Sequence, residues 1–183
     1  MGEEKFNIEN AAAFVNCFPR GHCDPTIPVW LIQAGLSAKR FMTYSKREYP
    51  IETCYNLAIK AAIENPVLKD VGWFIFSDND MILGEELQPW FSAEGDVVGV
   101  TYDMGDLNRT WGRSDSFHSG LWRARRDVLE RVHAPWFDTV LTDDGCDIDK
   151  CCCEYFARKV RAYGYTITRA GWAGHGVSTG QQT

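Results

Sequence analysis

A short apolar run that ends in two aspartates constrains the fold of this chain more than any other segment. Val71 to Phe76 carry no charge and are nearly all bulky and apolar. Such a run is typical of a strand buried on both faces, although a buried helical segment has a similar pattern. Gly72 and the short length favour the strand. Asp78 and Asp80 follow at once, and because strand side chains alternate, both carboxylates are predicted to point the same way.

Two like charges at the end of a strand have two interpretations. They repel each other unless a cation lies between them, and in open α/β sheets ligands bind outside the carboxyl ends of the strands. Carboxylate oxygens suit Mg²⁺ or Mn²⁺, and such an ion can also hold a diphosphate. The other interpretation is a polar turn after a core strand. The spacing of Asp78 and Asp80 alone does not decide between them.

The remaining pattern predicts alternating strands and helices. Strands are expected at Ala12–Cys17, Arg40–Tyr44, Asp96–Tyr102, Phe117–Trp122 and Tyr165–Thr168, and helices at Pro28–Leu36, Ile51–Glu64, Glu85–Phe91, Arg123–Val132 and from near Asp149 to Tyr163. This order predicts an α/β fold with a mostly parallel central sheet flanked by helices. The 183 residues are enough for one domain with a full core.

Composition narrows the classes of function. The net charge of −6 argues against a nucleic-acid binder that relies on a general basic field. No apolar run approaches transmembrane length, and the residues after Met1 are charged and lack a signal-peptide core. We therefore expect a cytoplasmic protein with no membrane span. The sequence gives no indication of its oligomeric state.

Seven cysteines leave two interpretations. They are Cys17, Cys23, Cys54, Cys146, Cys151, Cys152 and Cys153. An odd number without a signal peptide predicts free thiols rather than a disulfide framework. The alternative is a structural zinc site, which would make the chain a zinc-stabilised binding module. The lack of paired Cys-x-x-Cys motifs weakens that alternative.

Four segments carry a resemblance to a known family. They are Tyr55–Ala58, Phe74–Met81 with its Asp-x-Asp motif, His118–Leu129 followed by Ala134–Phe137, and Tyr155–Tyr165 continuing to Gly174 and His175. In this order they resemble compact glycosyltransferases of the GT-A fold, near the family 2 enzymes of bacteria and phages. The resemblance implies a single GT-A-like, Rossmann-like domain. Its donor half would span about residues 10–102 and its acceptor half about residues 103–183.

The resemblance implies a metal-dependent transfer from a nucleoside-diphosphate sugar. A divalent cation, Mn²⁺ or Mg²⁺, would neutralise the charge of the departing diphosphate. Asp80 is expected to bind the ion directly, Asp78 to bind it or the ribose, and His175 to complete the site from a glycine-rich lid at Gly171–Gly176. The donor would also contact Asn79 and the loop after the first strand, through Pro19 and Arg20.

The catalytic base is less well defined by the resemblance. Where the family carries acidic residues before its closing helix, this chain has Cys152 and Cys153. An inverting transfer needs a base to deprotonate the acceptor hydroxyl, and we expect Asp144, then Asp143 or Glu154, in that role. A retaining transfer assisted by the donor's own phosphate would need no such base.

The acceptor side is predicted from aromatic and small residues. Trp111 and Trp122 are expected to stack on it, with His118 and Gly120 beside them. Core packing is the alternative, and it is expected for at least one of Trp111, Trp122 and Trp136. A glycan end, a protein side chain or a modified nucleobase would suit an open crevice. A second enzyme class, a nucleotidyltransferase that makes nucleotide sugars, also uses paired carboxylates and Mg²⁺. The loop Phe18–His22 has only one glycine and matches that class poorly.

Overall fold

The computed structural model describes residues 5–17, 23–44, 49–102, 117–144 and 148–175. Its strands are β1 Ala11–Asn16, β2 Phe41–Tyr44, β3 Trp73–Asp78, β4 Met81–Ile82, β5 Val97–Tyr102, β6 Leu121–Arg125, β7 Val140–Leu141, β8 Ile148–Lys150 and β9 Ile167–His175. Its α-helices are α1 Thr26–Gln33, α2 Ile51–Glu64, α3 Gln88–Ser92, α4 Arg126–Arg131 and α5 Cys152–Ala162. Short 3₁₀ turns lie at Ile8–Asn10, Ala38–Arg40, Pro66–Leu68 and Glu85–Leu87.

The main sheet has seven strands in the order β2-β1-β3-β6-β5-β9-β4. β1 is parallel to β2 and β3, and β5 is parallel to β9. β6 is antiparallel to both of its neighbours, and β4 is antiparallel to β9. The α/β class and the Rossmann-like layering are as predicted, but the sheet is mixed rather than mostly parallel. β7 and β8 form a separate hairpin.

The connection between β3 and β4 requires this sheet to curl. Only Asn79 and Asp80 separate the two strands, and four inter-strand steps lie between them in the sheet. Four steps in a flat sheet would span ~19 Å, whereas the linking chain from Asp78 to Met81 reaches ~11 Å at most. The carboxyl end of β9 is therefore brought back towards the carboxyl end of β3.

Core residues lie on both faces of the sheet, as the apolar run of β3 predicts. Phe74 and Phe76 pack in the cluster under α2, α4 and α5, while Trp73 and Ile75 pack in the cluster under α1 and α3. Strand alternation explains why nearly every residue of this run is apolar. Helix α2 has the predicted bounds, and its buried face includes Tyr55.

The second half differs from the sequence prediction around β6 and α4. The predicted strand Phe117–Trp122 is β6, Leu121–Arg125, and the helix expected from Arg123 begins only at Arg126. Arg123 is fully buried within β6, a position that a charged residue rarely occupies.

The last strand is longer than predicted and continues to His175. Gly171 has a φ of 69°, and the register between β5 and β9 shifts between Gly99 and Thr101. Beyond this irregularity β9 stays paired with β5 through Ala173, and its last residues, Gly174 and His175, pair with β4. The segment Gly171–His175, predicted to be a mobile lid, is thus part of the sheet, and Gly176 lies outside the described residues. Within the described ranges, no helix is both long and apolar enough to cross a bilayer.

Candidate functional site

Asp80 and His175 face each other at the curled edge of the sheet. The Nε2 atom of His175 lies 3.6 Å from Oδ1 of Asp80, and Met81 pairs with His175 across β4 and β9. The side chain of Asp80 is 36% exposed and that of His175 is 28% exposed, so a ligand can reach both. The sequence predicts this juxtaposition of two residues far apart in the chain, and the structure contains it. Pairing between two strands produces it, however, rather than closure of a loop.

Asp78 is the last residue of β3 and is held by a network from α2 and the start of β6. Its amide donates to the carbonyl of Gly120 at 2.7 Å, and its Oδ1 accepts a short hydrogen bond from the Tyr55 hydroxyl. The Ser119 hydroxyl in turn donates to the Tyr55 oxygen at 3.1 Å. The carboxylate of Asp78 therefore has a fixed orientation.

The surroundings of Asp78 change its acidity. Burial raises the pKa of this carboxyl to about 7, the hydrogen bond from Tyr55 opposes the rise, and the nearby charge of Asp80 adds to it. A cation beside these carboxylates would favour the ionised form.

Tyr102 joins this network to His175. Its ring stacks on the imidazole with centroids 5.3 Å apart and planes 19° apart, and its hydroxyl accepts from the Gly120 amide at 3.2 Å. A Cβ atom at Gly120 would lie 2.7 Å from the Tyr102 ring and 2.8 Å from the Met81 sulfur. Gly120 is therefore needed for close packing beneath the site rather than for chain flexibility.

His118 lies beside Tyr102, with ring centroids 5.8 Å apart. Burial lowers the pKa of His118, and the positive charge of Arg169 lowers it further. The imidazole is therefore biased towards its neutral form. Its predicted acceptor role stays a prediction.

Trp122 does not occupy an acceptor position. Its ring is fully buried and stacks on Phe76 at 4.5 Å, with Phe156 5.1 Å away. The ring lies in the core cluster beneath α2, α4 and α5, so it has no free face for a ligand. The prediction for Trp122 is wrong in this respect.

The predicted acidic residues lie on two elements. Asp143 and Asp144 are exposed between β7 and β8, and Asp144 accepts from the Thr142 hydroxyl at 2.6 Å. Glu154 forms an ion pair with Arg158 along α5, 2.7 Å apart. The described contacts do not bring any of these carboxylates onto Asp78, Asp80 or His175. Their role as base stays a prediction.

A thiol lies closer to the network than those acids do. The Cys153 sulfur is 3.2 Å from the Ser119 hydroxyl. Its hydrogen bond with Cys151 lowers the pKa of Cys153, but the one with Cys152 and burial raise it, to about 12 overall. Cys153 therefore stays protonated near neutral pH and does not replace the missing base.

The other predicted donor contacts are only partly described. Pro19 and Arg20, and Trp111 on the acceptor side, lie outside the described residues. Asn79 is mostly buried, and its carbonyl accepts from the Asp24 amide at 2.6 Å. This bond ties the loop between β3 and β4 to the residues that begin α1.

Several residues of the site were not singled out from the sequence as site residues. Tyr55, Tyr102 and Ser119 form the network behind Asp78 and His175. For Tyr55 a signal existed, since it is the polar-tipped residue on the buried face of α2. Tyr102 depends on the pairing of β5 with β9, which the sequence pattern does not reveal.

Asp80 and His175 are candidate ligands for a divalent cation. Neighbouring ligands of an octahedral ion at ~2.1 Å lie ~3.0 Å apart, so the two side chains, now 3.6 Å apart, would close slightly on binding. Among the described residues, no group of three or more His, Cys, Asp and Glu side chains has the arrangement of a complete metal site. Mg²⁺ and Mn²⁺ tolerate such a sparse protein shell, because water and phosphate oxygens complete it.

Comparison with known proteins gives a fold but no family. No family model matches the chain, and no curated protein matches it in sequence. A solved structure, the A197 protein from STIV, superposes with a TM-score of 0.54 at 17% identity, covering 90% of this chain and 80% of that one. At this identity the likeness shows a shared fold alone.

Two further solved structures are more distant. A nucleoside-diphosphate-sugar pyrophosphorylase from Vibrio cholerae RC9 has a TM-score of 0.45 at 11% identity, covering 90% of this chain and 73% of that one. A glycosyltransferase involved in the glycosylation of the major capsid of PBCV-1 has a TM-score of 0.42 at 16% identity, covering 69% of each chain. These two scores are too low to support an argument about function.

Proposed function

We propose that this protein is a metal-dependent glycosyltransferase that moves a sugar from a nucleoside-diphosphate sugar to an acceptor hydroxyl. The observation that carries the proposal is the pairing of Asp80 with His175 next to Asp78, at the carboxyl edge of an α/β sheet. Ligands of open α/β sheets bind at this edge. The resemblance of the Asp-x-Asp segment to glycosyltransferases of the GT-A fold supports the same assignment.

Asp80 and His175 would hold Mn²⁺ or Mg²⁺, with Asp78 as a further ligand or as the partner of the ribose. When bound, the ion supplies positive charge next to the diphosphate that leaves. Tyr55 keeps the Asp78 carboxylate in one orientation through its hydrogen bond, and Tyr102 fixes the plane of the His175 ring by stacking. The chain thus orients the groups that face the donor before it binds, which lowers the cost of reaching the reactive geometry.

The donor base and the acceptor are assigned to residues named from the sequence. Pro19, Arg20 and Asn79 are the proposed contacts of the nucleotide. Trp111 and His118 are the proposed contacts of the acceptor, a glycan end, a protein side chain or a modified nucleobase.

We assign the transfer as inverting. Asp144 is the first base for the acceptor hydroxyl, ahead of Asp143 and Glu154. The exposed turn that carries Asp143 and Asp144 must then approach the acceptor when the complex forms.

The first experiment measures donor binding. A panel of UDP, GDP, ADP and CDP with Mn²⁺ is titrated and followed by thermal shift, because a ligand that binds only the folded state raises its stability. Asp80→Asn and His175→Ala should each weaken binding of the best nucleotide about tenfold or more, equivalent to roughly 1.4 kcal/mol. Asp70→Asn, at an exposed carboxylate before β3, is the matched control and should bind as the native chain does.

The second part of the experiment identifies the reaction. Incubation with the matching nucleotide sugar and Mn²⁺ should release nucleoside diphosphate. Pyrophosphate release from a nucleoside triphosphate and a sugar phosphate would instead indicate nucleotidyl transfer. Equal nucleotide affinity in the native, Asp80→Asn and His175→Ala proteins at fixed Mn²⁺ would refute the site.

A further inference from the structure

A buried arginine lies on the side of the sheet that carries α1 and α3. Arg123 of β6 is fully buried, and its guanidinium carbon is 4.1 Å from the ring centre of Phe6, 5.0 Å from that of Trp73 and 5.4 Å from that of Trp90. Its hydrogen-bond acceptors in the described structure are the backbone carbonyls of Trp90 and Ala93, at 3.1 Å and 2.6 Å from Nη2. No carboxylate of the described residues pairs with it.

Two buried donors in this region lack acceptors. Nη1 of Arg123 and Nε1 of Trp73 have no hydrogen-bond partner among the described residues. Buried donors are almost always paired in folded proteins, so two orphans around one ring cluster indicate a missing acceptor. Burial lowers the pKa of Arg123, to about 9, so the group is still mainly cationic at neutral pH. The missing acceptor is therefore best supplied by an anion.

A cavity of about 350 Å³ adjoins this cluster. Phe6, Trp73 and Ala93, which contact Arg123, also line it. The other lining residues include Arg125 at the end of β6 and Thr166 before β9. Since Trp73 begins β3 and β6 runs antiparallel to it, the cavity lies at the amino edge of the parallel strands. Asp78 and Asp80 lie at the opposite edge.

The walls of this cavity define the chemistry of an occupant. Phe6, Trp73 and Phe91 provide aromatic surface for a flat apolar body. The charge of Arg125 is already used by Asp96 and Asp127. Lys5 also lines the cavity, and Arg123, behind the rings of Phe6 and Trp73, is the buried cation that has no carboxylate partner among the described residues. Glu94 and Asp96 also line the cavity and disfavour a second negative charge.

We propose that this cavity, the amino-edge cavity, binds a small planar monocarboxylate whose oxygens accept from Nη1 of Arg123 and Nε1 of Trp73. Both donors are shielded in the present conformation, so the ligand reaches them when the Phe6 ring turns aside. Phe6 precedes the first helical turn and contacts both the guanidinium and the cavity, which makes it the residue that must move. Phosphate is the poorer occupant, because two donors and aromatic walls match neither its charge nor its four oxygens.

Benzoate is the probe, and benzamide is its neutral isostere. Both are titrated by calorimetry and by the indole N–H signals of the tryptophans in NMR spectra. Benzoate should bind about tenfold or more tightly than benzamide, and the Trp73 indole signal should move as its donor gains an acceptor. Equal affinity for the two probes, or an unmoved Trp73 signal at saturation, would overturn the proposal.

Three variants locate the binding. Arg123→Met should remove the preference for benzoate, and Ser92→Phe, at a lining residue, should fill the cavity and abolish binding. Ser37→Phe is the matched control at an exposed serine outside the lining and should bind benzoate normally. Should Arg123→Met fail to fold, Ser92→Phe and the Trp73 signal still decide the question. Benzoate binding that persists in Ser92→Phe would refute the site.

This test is independent of the proposed transferase activity. Ser92→Phe should leave nucleotide binding with Mn²⁺ unchanged, because Asp80 and His175 lie at the other edge of the sheet. Loss of nucleotide binding in Asp80→Asn should likewise leave benzoate binding intact. The two proposals therefore fail or stand separately.

Discussion

Asp78 is the residue at which the fold and the proposed chemistry conflict most directly. Its carboxyl is partly buried, and burial raises its pKa to about 7 from an ordinary value near 3.8. Ionisation of Asp78 in the folded protein therefore opposes stability. The pKa of Asp78 is higher in the folded than in the unfolded protein, so the protonated carboxyl contributes to the free energy of unfolding. This contribution is fully present below about pH 4 and is lost as the pH rises through about 7.

We expect the metal-free protein to lose stability between pH 4 and 7 in part because of Asp78. A rise in the pKa of Asp78 from 3.8 to about 7 corresponds to at most ~4 kcal/mol, and a partly buried group gives less. Asp78→Asn is neutral throughout this range and should flatten the dependence. Urea unfolding with a chelator at several pH values measures it.

Asp70→Asn is the matched control for the pH experiment, since it removes one negative charge from an exposed position. It should retain the native slope. An unchanged slope in Asp78→Asn would show that Asp78 is not the group responsible. Excess Mn²⁺ should shift the native curve in the opposite sense, because a cation stabilises the ionised carboxylate.

Strand β9 is the element that completes the site, and Gly171 determines its course. Gly171 has a φ of 69°, and a Cβ atom there would lie 3.1 Å and 3.2 Å from the carbonyl oxygens of Glu86 and Leu87. The strand changes register at this point and then pairs His175 with Met81. The position of His175 therefore depends on a residue four positions earlier.

Gly171→Ala should destabilise the protein by roughly 2 kcal/mol and weaken nucleotide binding with Mn²⁺. Gly164→Ala is the matched control, because Gly164 has a φ of 83° but nothing within 4 Å of its added Cβ. That variant carries the backbone strain without the crowding. Chemical denaturation and the nucleotide titration measure both effects. Equal losses of nucleotide affinity in the two variants would show that the crowding at Gly171 does not position His175.

The bounds of helices and strands were predicted well where the apolar periodicity is strong. They were predicted poorly where contacts with residues distant in the sequence determine the element. The bounds of α2 follow from its apolar stripe and the proline after it. For β6, Leu121–Arg125, the predicted strand ended at Trp122 and a helix was expected from Arg123. The strand forms because Phe6, Trp73 and Trp90, distant in sequence, cover Arg123 with aromatic rings. No local pattern around Arg123 indicates these partners.

The curl of the whole sheet determined which parts of the site were predictable. Asp78 and Asp80 follow from the end of a buried run, and the resemblance to the family adds His175. The order β3-β6-β5-β9-β4, which closes the sheet towards itself, depends on pairing across the chain. Tyr102 enters the site only through that pairing, so the sequence pattern did not reveal it.

The two proposed sites lie at opposite ends of the strands of the main sheet. The nucleotide site lies at the carboxyl edge, around Asp80 and His175, and the amino-edge cavity lies beside Trp73 and Ser92. Each ligand should stabilise the backbone near its own edge more than the rest of the sheet. Hydrogen exchange resolves this over the whole molecule, since amides exchange by local opening as well as by global unfolding.

We expect Mn²⁺ with the best nucleoside diphosphate to slow exchange at Met81–Ile82 and along the end of β9, where strand pairing holds His175 beside Asp80. Benzoate should slow exchange at Phe91–Asp96 instead, along the wall of the amino-edge cavity. Strand β2, at the outer edge of the sheet, lines neither site and serves as the internal control. Asp80→Asn should lose the first pattern and keep the second, and Ser92→Phe should do the reverse. Protection by the nucleotide at Phe91–Asp96, without change at Met81 and His175, would place the nucleotide at the wrong edge and refute the proposed active site.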